Sequence, residues 1–445
     1  MEVTMELKTF YSPSISHFSY MIGYEEGVIV IDPKRDIENY LDTAKKWELP
    51  ITHILLTHHH ADFAAGHLRL KAKTNAEIIM GVGAEPKFSV HEMKEGERII
   101  LGSVEIEIIE TPGHTPELIS FLLTDRLSSN KPLAIFTGDS LFAGDLGRPD
   151  LFGLKRQEEL TQKLWQTVNK FKRLPDYLLV YPAHGAGSLC GKRVGQRNPT
   201  SIGFEKENNP MLALTNYETF RNELFKAMPT PPAYYFECSK KNKSGDSLEM
   251  PFYELRPFTT RELEHFKGEI IDLRDQAGFS SFHIPDSLNM AADIHFSLLA
   301  GFSLGLGDEI ILVGDMADIE KASLTLYRMG YDNVLGYLSK GIDSWRVAGF
   351  FGESFPYISP KDALALTKQG KAVILDVRTE TEHEEKSIPD AIYIPLAKIK
   401  KESPKLPKDK VIISVCGHGC RSSLVASMLK RSNFKVGVIA GGILA

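Results

Sequence analysis

Thr57-His58-His59-His60-Ala61-Asp62-Phe63-Ala64-Ala65-Gly66-His67 is the segment from which the architecture of this 445-residue chain can be worked out. It follows His53-Ile54-Leu55-Leu56, an apolar run that reads as a buried strand. Three consecutive imidazoles and a carboxylate directly after a strand are poor packing material, since His and Asp are weak helix and strand formers. They are good ligands. Neutral imidazole is the commonest metal ligand, and Asp adds a hard anionic oxygen. The bland alternative is a solvated loop that happens to be rich in histidine.

A metal needs more ligands than one loop can aim. Three later segments offer them. Glu110-Thr111-Pro112-Gly113-His114-Thr115-Pro116 follows the alternating run Val104–Ile109. Phe136-Thr137-Gly138-Asp139-Ser140 follows Leu133-Ala134-Ile135, and Tyr181-Pro182-Ala183-His184-Gly185 follows Tyr177-Leu178-Leu179-Val180. Each is a strand, then Gly or Pro, then one His or Asp. Short loops on strand ends hold ligands rigidly.

Taken in order, T-H-x-H-x-D, P-G-H-T, T-G-D and P-x-H-G resemble the metallo-β-lactamase superfamily over roughly the first half of the chain. The resemblance implies an αββα sandwich closing after His184, and sites for two metals. One departure matters. The residue after Asp62 is Phe63, where the superfamily places a second-metal histidine, and phenylalanine cannot ligate. A binuclear hydrolase is therefore disfavoured. The persulfide dioxygenase branch looks like this, and carried over it implies one Fe(2+) per chain on His58, His114 and Asp139. Two His and one carboxylate with open positions are the ligand set of a non-haem Fe(II) oxygenase. Zinc has no redox chemistry with which to activate oxygen. His60 and Asp62 are grouped with the catalytic residues. Ser140–Asp150 resembles the G-D-x-L…G-R-x-D stretch of that branch. It makes Arg148 a candidate for binding a substrate anion, with an ion pair to Asp150 as the alternative. Cys190 is expected near the iron, as a channel or relay thiol or as a small buried hydrophobe. Lys192 is a candidate for an anionic tail or a solvated turn.

Composition sets the class. An apolar fraction of 42% and a charged fraction of 25% are ordinary for a globular protein. The net charge of -6 argues against non-specific nucleic-acid binding. Four cysteines are too few for a disulfide scaffold in a chain this long. No apolar run reaches the length of a membrane span, and Met1–Glu6 carries no signal-peptide pattern. Cytoplasm is the expected compartment.

Early strands at Tyr20–Gly23 and Val28–Pro33 form an expected hairpin, followed by a helix over Glu38–Trp47. Leu212–Met228 reads as a terminal helix broken by Pro229-Thr230-Pro231-Pro232. Cys238 is given a structural role. The polar stretch Lys240–Ser247 is the expected linker. Beyond it the sequence repeats. Ile270-Ile271-Asp272-Leu273-Arg274 matches Ile374-Leu375-Asp376-Val377-Arg378, and His283-Ile284-Pro285-Asp286 matches Ser387-Ile388-Pro389-Asp390. Strands alternating with helical segments argue for two α/β domains with parallel sheets.

This repeat resembles the rhodanese family twice over. In the second copy Cys416-Gly417-His418-Gly419-Cys420-Arg421 fits the active loop C-x-x-G-x-R. A thiol between a strand and a helix N-terminus sits under backbone N–H groups that favour an anionic, nucleophilic sulfur. Gly417, His418 and Gly419 line the loop, Arg421 would attract an anion such as sulfite, and Cys420 either resolves a persulfide or packs. The first copy has Gly314 in place of Cys416, and Asp315 and Asp318 would repel anions, so it is expected to be catalytically dead. The second copy runs to Gly441-Gly442-Ile443-Leu444-Ala445, short of a counterpart to Trp345, which bears on its packing.

The expected organisation is a dioxygenase domain over 1–240, a Cys-less rhodanese domain over 241–352 and a rhodanese domain over 353–445. The whole resembles bacterial fusions of a persulfide dioxygenase with a sulfurtransferase. The implied partners are O2, sulfite and a small persulfide of glutathione, coenzyme A, bacillithiol or cysteine. Neither nucleic acid nor membrane is expected, and a homo-oligomer is. The competing readings are a glyoxalase II-like thioester hydrolase joined to a sulfurtransferase, and a C-terminus that carries or senses persulfide.

Overall fold

The computed structural model describes residues 5–246 and 248–443. Met1–Thr4 of the acidic start and Leu444 and Ala445 of the closing stretch lie outside them, as does Ser247. The chain forms two compact units. One comprises Met1–Pro231, Tyr235–Pro251 and Arg328–Gly330, and the other Pro232–Tyr234, Phe252–Tyr327 and Tyr331–Ala445.

In the first unit two six-stranded sheets stack face to face. One runs Glu6–Ser12, His17–Tyr24, Gly27–Ile31, Ile51–Leu55, Glu77–Gly81, His91–Met93. Its first three strands are antiparallel and the rest parallel. The other runs Thr200–Ser201, Leu179–Pro182, Ala134–Gly138, Ile119–Asp125, Val104–Glu110, Arg98–Leu101. Alternate side chains face inward. Tyr20, Ile22, Ile29, Ile31, Leu55 and Ile79 meet Val104, Ile106, Ile108, Phe121, Leu123 and Phe136 in the central core. The residues between them point outward, and helices cover them. Met21, Val28, Val30, Ile54 and Ile78 pack on Tyr40 and Ala44 of the helix Glu38–Trp47 and Leu70 of the helix His67–Thr74. Ile135 and Val180 pack on Leu164, Val168 and Phe171 of the helix Leu154–Phe171. With both faces buried, strands such as Val28–Ile31 read as continuous apolar runs. This is the expected αββα sandwich.

Two sequence expectations need correction here. The helix expected over Leu212–Met228 spans only Tyr217–Phe225, because the Asn216 side chain accepts from Thr219 N at 3.1 Å and starts it there. The expected linker is no linker. Tyr234–Ser244 is a helix that belongs to the first unit from Tyr235 onward, and its Asn242 is buried. Asn242 Nδ2 donates to the carbonyls of His60 and Phe63, both at 2.7 Å, and its Oδ1 accepts from Ala65 N at 2.9 Å. The polarity of this stretch serves the backbone of the histidine loop and not solvent. The first unit therefore continues to Pro251 rather than ending near 240.

The second unit holds the two repeats as two five-stranded parallel sheets. Their spatial order is the same. In the first copy it is Arg256–Phe258, Val334–Leu338, Ile310–Val313, Glu269–Asp272, Leu288–Asn289; in the second, Tyr357–Ile358, Val436–Ile439, Val411–Val415, Ala372–Asp376, Ile392–Tyr393. The D-x-R motif forms the same clamp in both. Arg274 grips Asp272 (Nη2 to Oδ2, 2.6 Å) and donates to Phe282 O at 2.8 Å. Arg378 grips Asp376 at 2.7 Å and donates to Lys386 O at 2.7 Å. Each arginine ties its strand end to the far end of the helix that follows, which makes the motif structural.

Candidate metal centre and cysteine loop

The histidine loop leaves the strand Ile51–Leu55 through Thr57. Thr57 N and Oγ1 donate to the two oxygens of Asp32, both at 2.8 Å. With its proton spent on Asp32, the hydroxyl must accept from His58 Nδ1 at 2.9 Å. That leaves the lone pair of His58 on Nε2. His114 is fixed the same way, its Nδ1 donating to Arg148 O at 2.8 Å. The two rings stand at 89° with centroids 5.1 Å apart. Gly147 is needed beside them, since a Cβ there would collide with Asp139 O and His114 Cβ.

His58 Nε2 lies 3.7 Å and His114 Nε2 3.4 Å from Asp139 Oδ2. Metal–ligand bonds of about 2.0–2.2 Å separate neighbouring donors by about 3–3.6 Å, so one ion fits between the three. All three atoms are buried and have no hydrogen-bond partner among the described residues. Burial holds the His58 and His114 imidazoles below their ordinary range, and so neutral. Burial alone would raise Asp139. The charge and hydrogen bond of His184, with the other imidazoles, hold it well below the carboxylate range instead. Three convergent, unsatisfied donors in their ligating forms are what a resident cation requires.

A second group lies alongside. Donor atoms of His60, Asp62 and His184 come within 4.8 Å of one another, as do those of Asp139, His184 and Cys190. His184 bridges the groups, Nδ1 to Asp139 Oδ1 at 2.7 Å and Nε2 to Asp62 Oδ2 at 2.8 Å. Phe63 is fully buried among them, its ring 4.4 Å from that of His60 and 4.0 Å from that of His17. His17 had no signal in the sequence. It reaches the site because Phe18 N donates to Ala183 O (2.7 Å) and Gly185 N to Ser16 O (2.9 Å), zipping its strand to the His184 loop.

The anion-binding expectations fare differently. Arg148 is closed onto Asp150 through two bonds of 2.7 Å, and its Nη1 donates to Leu189 O at 3.2 Å. At 1% exposure it forms the ion pair with Asp150 that the sequence offered as the alternative to anion binding. Lys192 spends its ammonium on Glu223 O at 3.0 Å. Cys190 is fully buried at the metal ligands, and burial followed by the Asp62 and Asp139 charges pushes its thiol up. The cationic groups near the centre come instead from the helix mistaken for a linker. A cavity of about 480 Å³ reaches His114, walled by Leu151, Phe152, Tyr235 and Phe236 with Lys240 and Lys243.

In the second unit Cys416 directly follows the strand Val411–Val415, in the loop that leads into the helix Cys420–Arg431. Gly419 takes φ +98, and its N–H donates to Cys416 Sγ at 3.1 Å. Gly417 is buried and His418 exposed. Arg421 forms a two-pronged pair with Glu382, at 2.5 and 2.7 Å, so its charge is largely matched. Cys420 Sγ lies 3.2 Å from Asp293 Oδ2.

Family comparison gives a metallo-beta-lactamase superfamily match over residues 15–184 and a rhodanese-like domain match over 260–348 and again over 359–445. A hydroxyacylglutathione hydrolase of Rhodospirillum rubrum is 37% identical over 218 residues, 48% of this chain and 75% of that one. One from Rhizobium etli is 30% identical over 48% of this chain and 92% of its own. The crystal structure of a metallo-beta-lactamase from Staphylococcus aureus is matched with a TM-score of 0.69 and 33% identity, over 76% of this chain and 99% of that one.

Proposed function

The chain belongs to the metallo-β-lactamase superfamily and carries two rhodanese domains behind that fold, and from that premise we propose a persulfide dioxygenase coupled to a sulfurtransferase. The carrying observation is the set of three unsatisfied donors on His58, His114 and Asp139, with the Phe63 ring packed against the neighbouring histidines. A ferrous ion held by those three would supply the dioxygen and one-electron chemistry that zinc lacks. Thr57 and the Arg148 carbonyl orient the two imidazoles. His60 and Asp62, beside them, are placed to handle protons. The apolar cavity excludes water from a sulfur brought up to His114, and Lys240 and Lys243 suit a carrier with an anionic tail. The overall conversion is RSSH with O2 and water to sulfite and RSH. Cys416 takes a sulfane sulfur from a second persulfide, and sulfite attacks that sulfur to give thiosulfate.

A second reading has its own support. The His60–Asp62–His184 group offers donors for another metal, and the Rhodospirillum and Rhizobium relatives are named hydrolases of hydroxyacylglutathione. Metal analysis with oxygen uptake on a panel of persulfides separates the two. About one iron per chain and persulfide-dependent oxygen consumption are expected. About two zincs per chain with thioester cleavage and no oxygen uptake would overturn the proposal.

A further inference from the structure

Cys420 opens the helix beside Cys416, yet the groups on its sulfur belong to the copy that lacks a nucleophile. Cys420 Sγ lies 3.2 Å from Asp293 Oδ2, and Gln276 Nε2 donates to it at 3.3 Å. The same copy pins the helix further along, Ser423 Oγ bonding Asn289 Oδ1 at 2.6 Å. Asp293 is itself held by His295, whose N–H donates to Oδ1 at 2.7 Å and whose Nδ1 lies 3.4 Å from it. The His418 ring is 6.3 Å from that of His295, and the guanidinium of Arg421, next in the chain, turns to Glu382. The charges facing Cys420 are therefore Asp293 and Cys416. Burial, then the Asp293 charge and its hydrogen bond, push the Cys420 thiol up to about 12.

We infer that Asp293 holds Cys420 as a hydrogen-bond-donating thiol and so keeps it from resolving a persulfide on Cys416. The inference rests on the sulfurtransferase reading. The step suppressed is attack of Cys420 sulfur on Cys416 Sγ. The new bond joins the two cysteine sulfurs, and the bond from Cys416 Sγ to the outer sulfur breaks. That sulfur leaves with the bonding pair and the Cys420 proton as hydrogen sulfide ion. The outer sulfur is reduced and the two cysteines are oxidised to a disulfide, with no outside reagent. Only the thiolate attacks, so a nearby carboxylate slows the step. Asp293 is thus a positioning residue: it directs the outer sulfur to sulfite and away from wasteful release as sulfide.

The test uses the full chain with Asp293→Asn, a near-isosteric change at a side chain 40% exposed. In a Cys416→Ser background, alkylation of Cys420 by iodoacetamide is followed against pH by mass spectrometry. Loss of the carboxylate is expected to speed it by about tenfold or more near neutral pH. An unchanged rate overturns the inference. With Cys416 intact and loaded by a persulfide without sulfite, Asp293→Asn is expected to release sulfide and form the Cys416–Cys420 disulfide about tenfold faster than the parent. Adding Cys420→Ser is expected to restore the parent's persulfide lifetime; equal lifetimes in parent and Asp293→Asn overturn the inference. A parent that never takes sulfur on Cys416 defeats the sulfurtransferase reading instead, while the alkylation series still decides what Asp293 does.

Discussion

Thr57→Val removes one oxygen from the hydrogen-bonded support of the metal centre and keeps the side chain's shape. The Thr57 hydroxyl donates to Asp32 at 2.8 Å and accepts from His58 Nδ1 at 2.9 Å. Asp32 keeps the Thr57 backbone N–H, so its loss is partial. His58 has no such reserve. With metal on Nε2 its proton must stay on Nδ1, now facing a methyl group in a buried site, at a cost of about 1–3 kcal/mol. Without metal the proton can move to Nε2, the atom that ligates. The penalty therefore falls mainly on the metal-bound state, and affinity is expected to drop by about 10–100-fold. Anaerobic competition for Fe(2+) against a chelator measures it, with Thr57→Ser, which keeps the hydroxyl, expected within about threefold of the parent. If Thr57→Val binds metal as tightly as the parent, the hydroxyl does not set the His58 tautomer and the argument fails.

Three other outcomes are expected. Asn242→Ala leaves two loop carbonyls and one N–H without their partner, and should lower the stability of the first unit by about 2–4 kcal/mol in denaturant melts; a loss under about 1 kcal/mol would return the segment to linker status. Burial holds His283 down to about 4, so the unfolded chain takes up a proton there before the folded one. Stability of the second unit should therefore fall as pH drops from about 6.5 to 4 and level off below, a slope that His283→Gln should flatten in pH-dependent melts. Glu382→Gln uncovers the Arg421 charge beside Cys416, so KM for sulfite should fall by about threefold or more while KM for a neutral acceptor thiol stays put; an unchanged sulfite KM would mean that Arg421 plays no part in attracting the anion.

The αββα sandwich, the doubled α/β domain and the loops that carry candidate ligands could all be read along the chain, while the choice of His58, His114 and Asp139 among them came from the family resemblance. Such features are local. A buried strand declares itself by composition, a ligand loop by a His or Asp beside Gly or Pro, and a repeat by matching D-x-R segments. What the chain could not declare was who faces whom. Arg148 reads equally as an anion receptor or as an ion pair with Asp150, and the fold supplies the pair and a bond to Leu189 O. Lys240–Ser247 reads as a tether, yet Asn242 bonds the carbonyls of His60 and Phe63, 182 and 179 residues away in sequence. His17 and Asp293 carry no motif at all. A side chain's polarity is written in its residue type, but whether water, a carbonyl or another charge satisfies it depends on contacts between distant segments, and those exist only once the sheets have stacked.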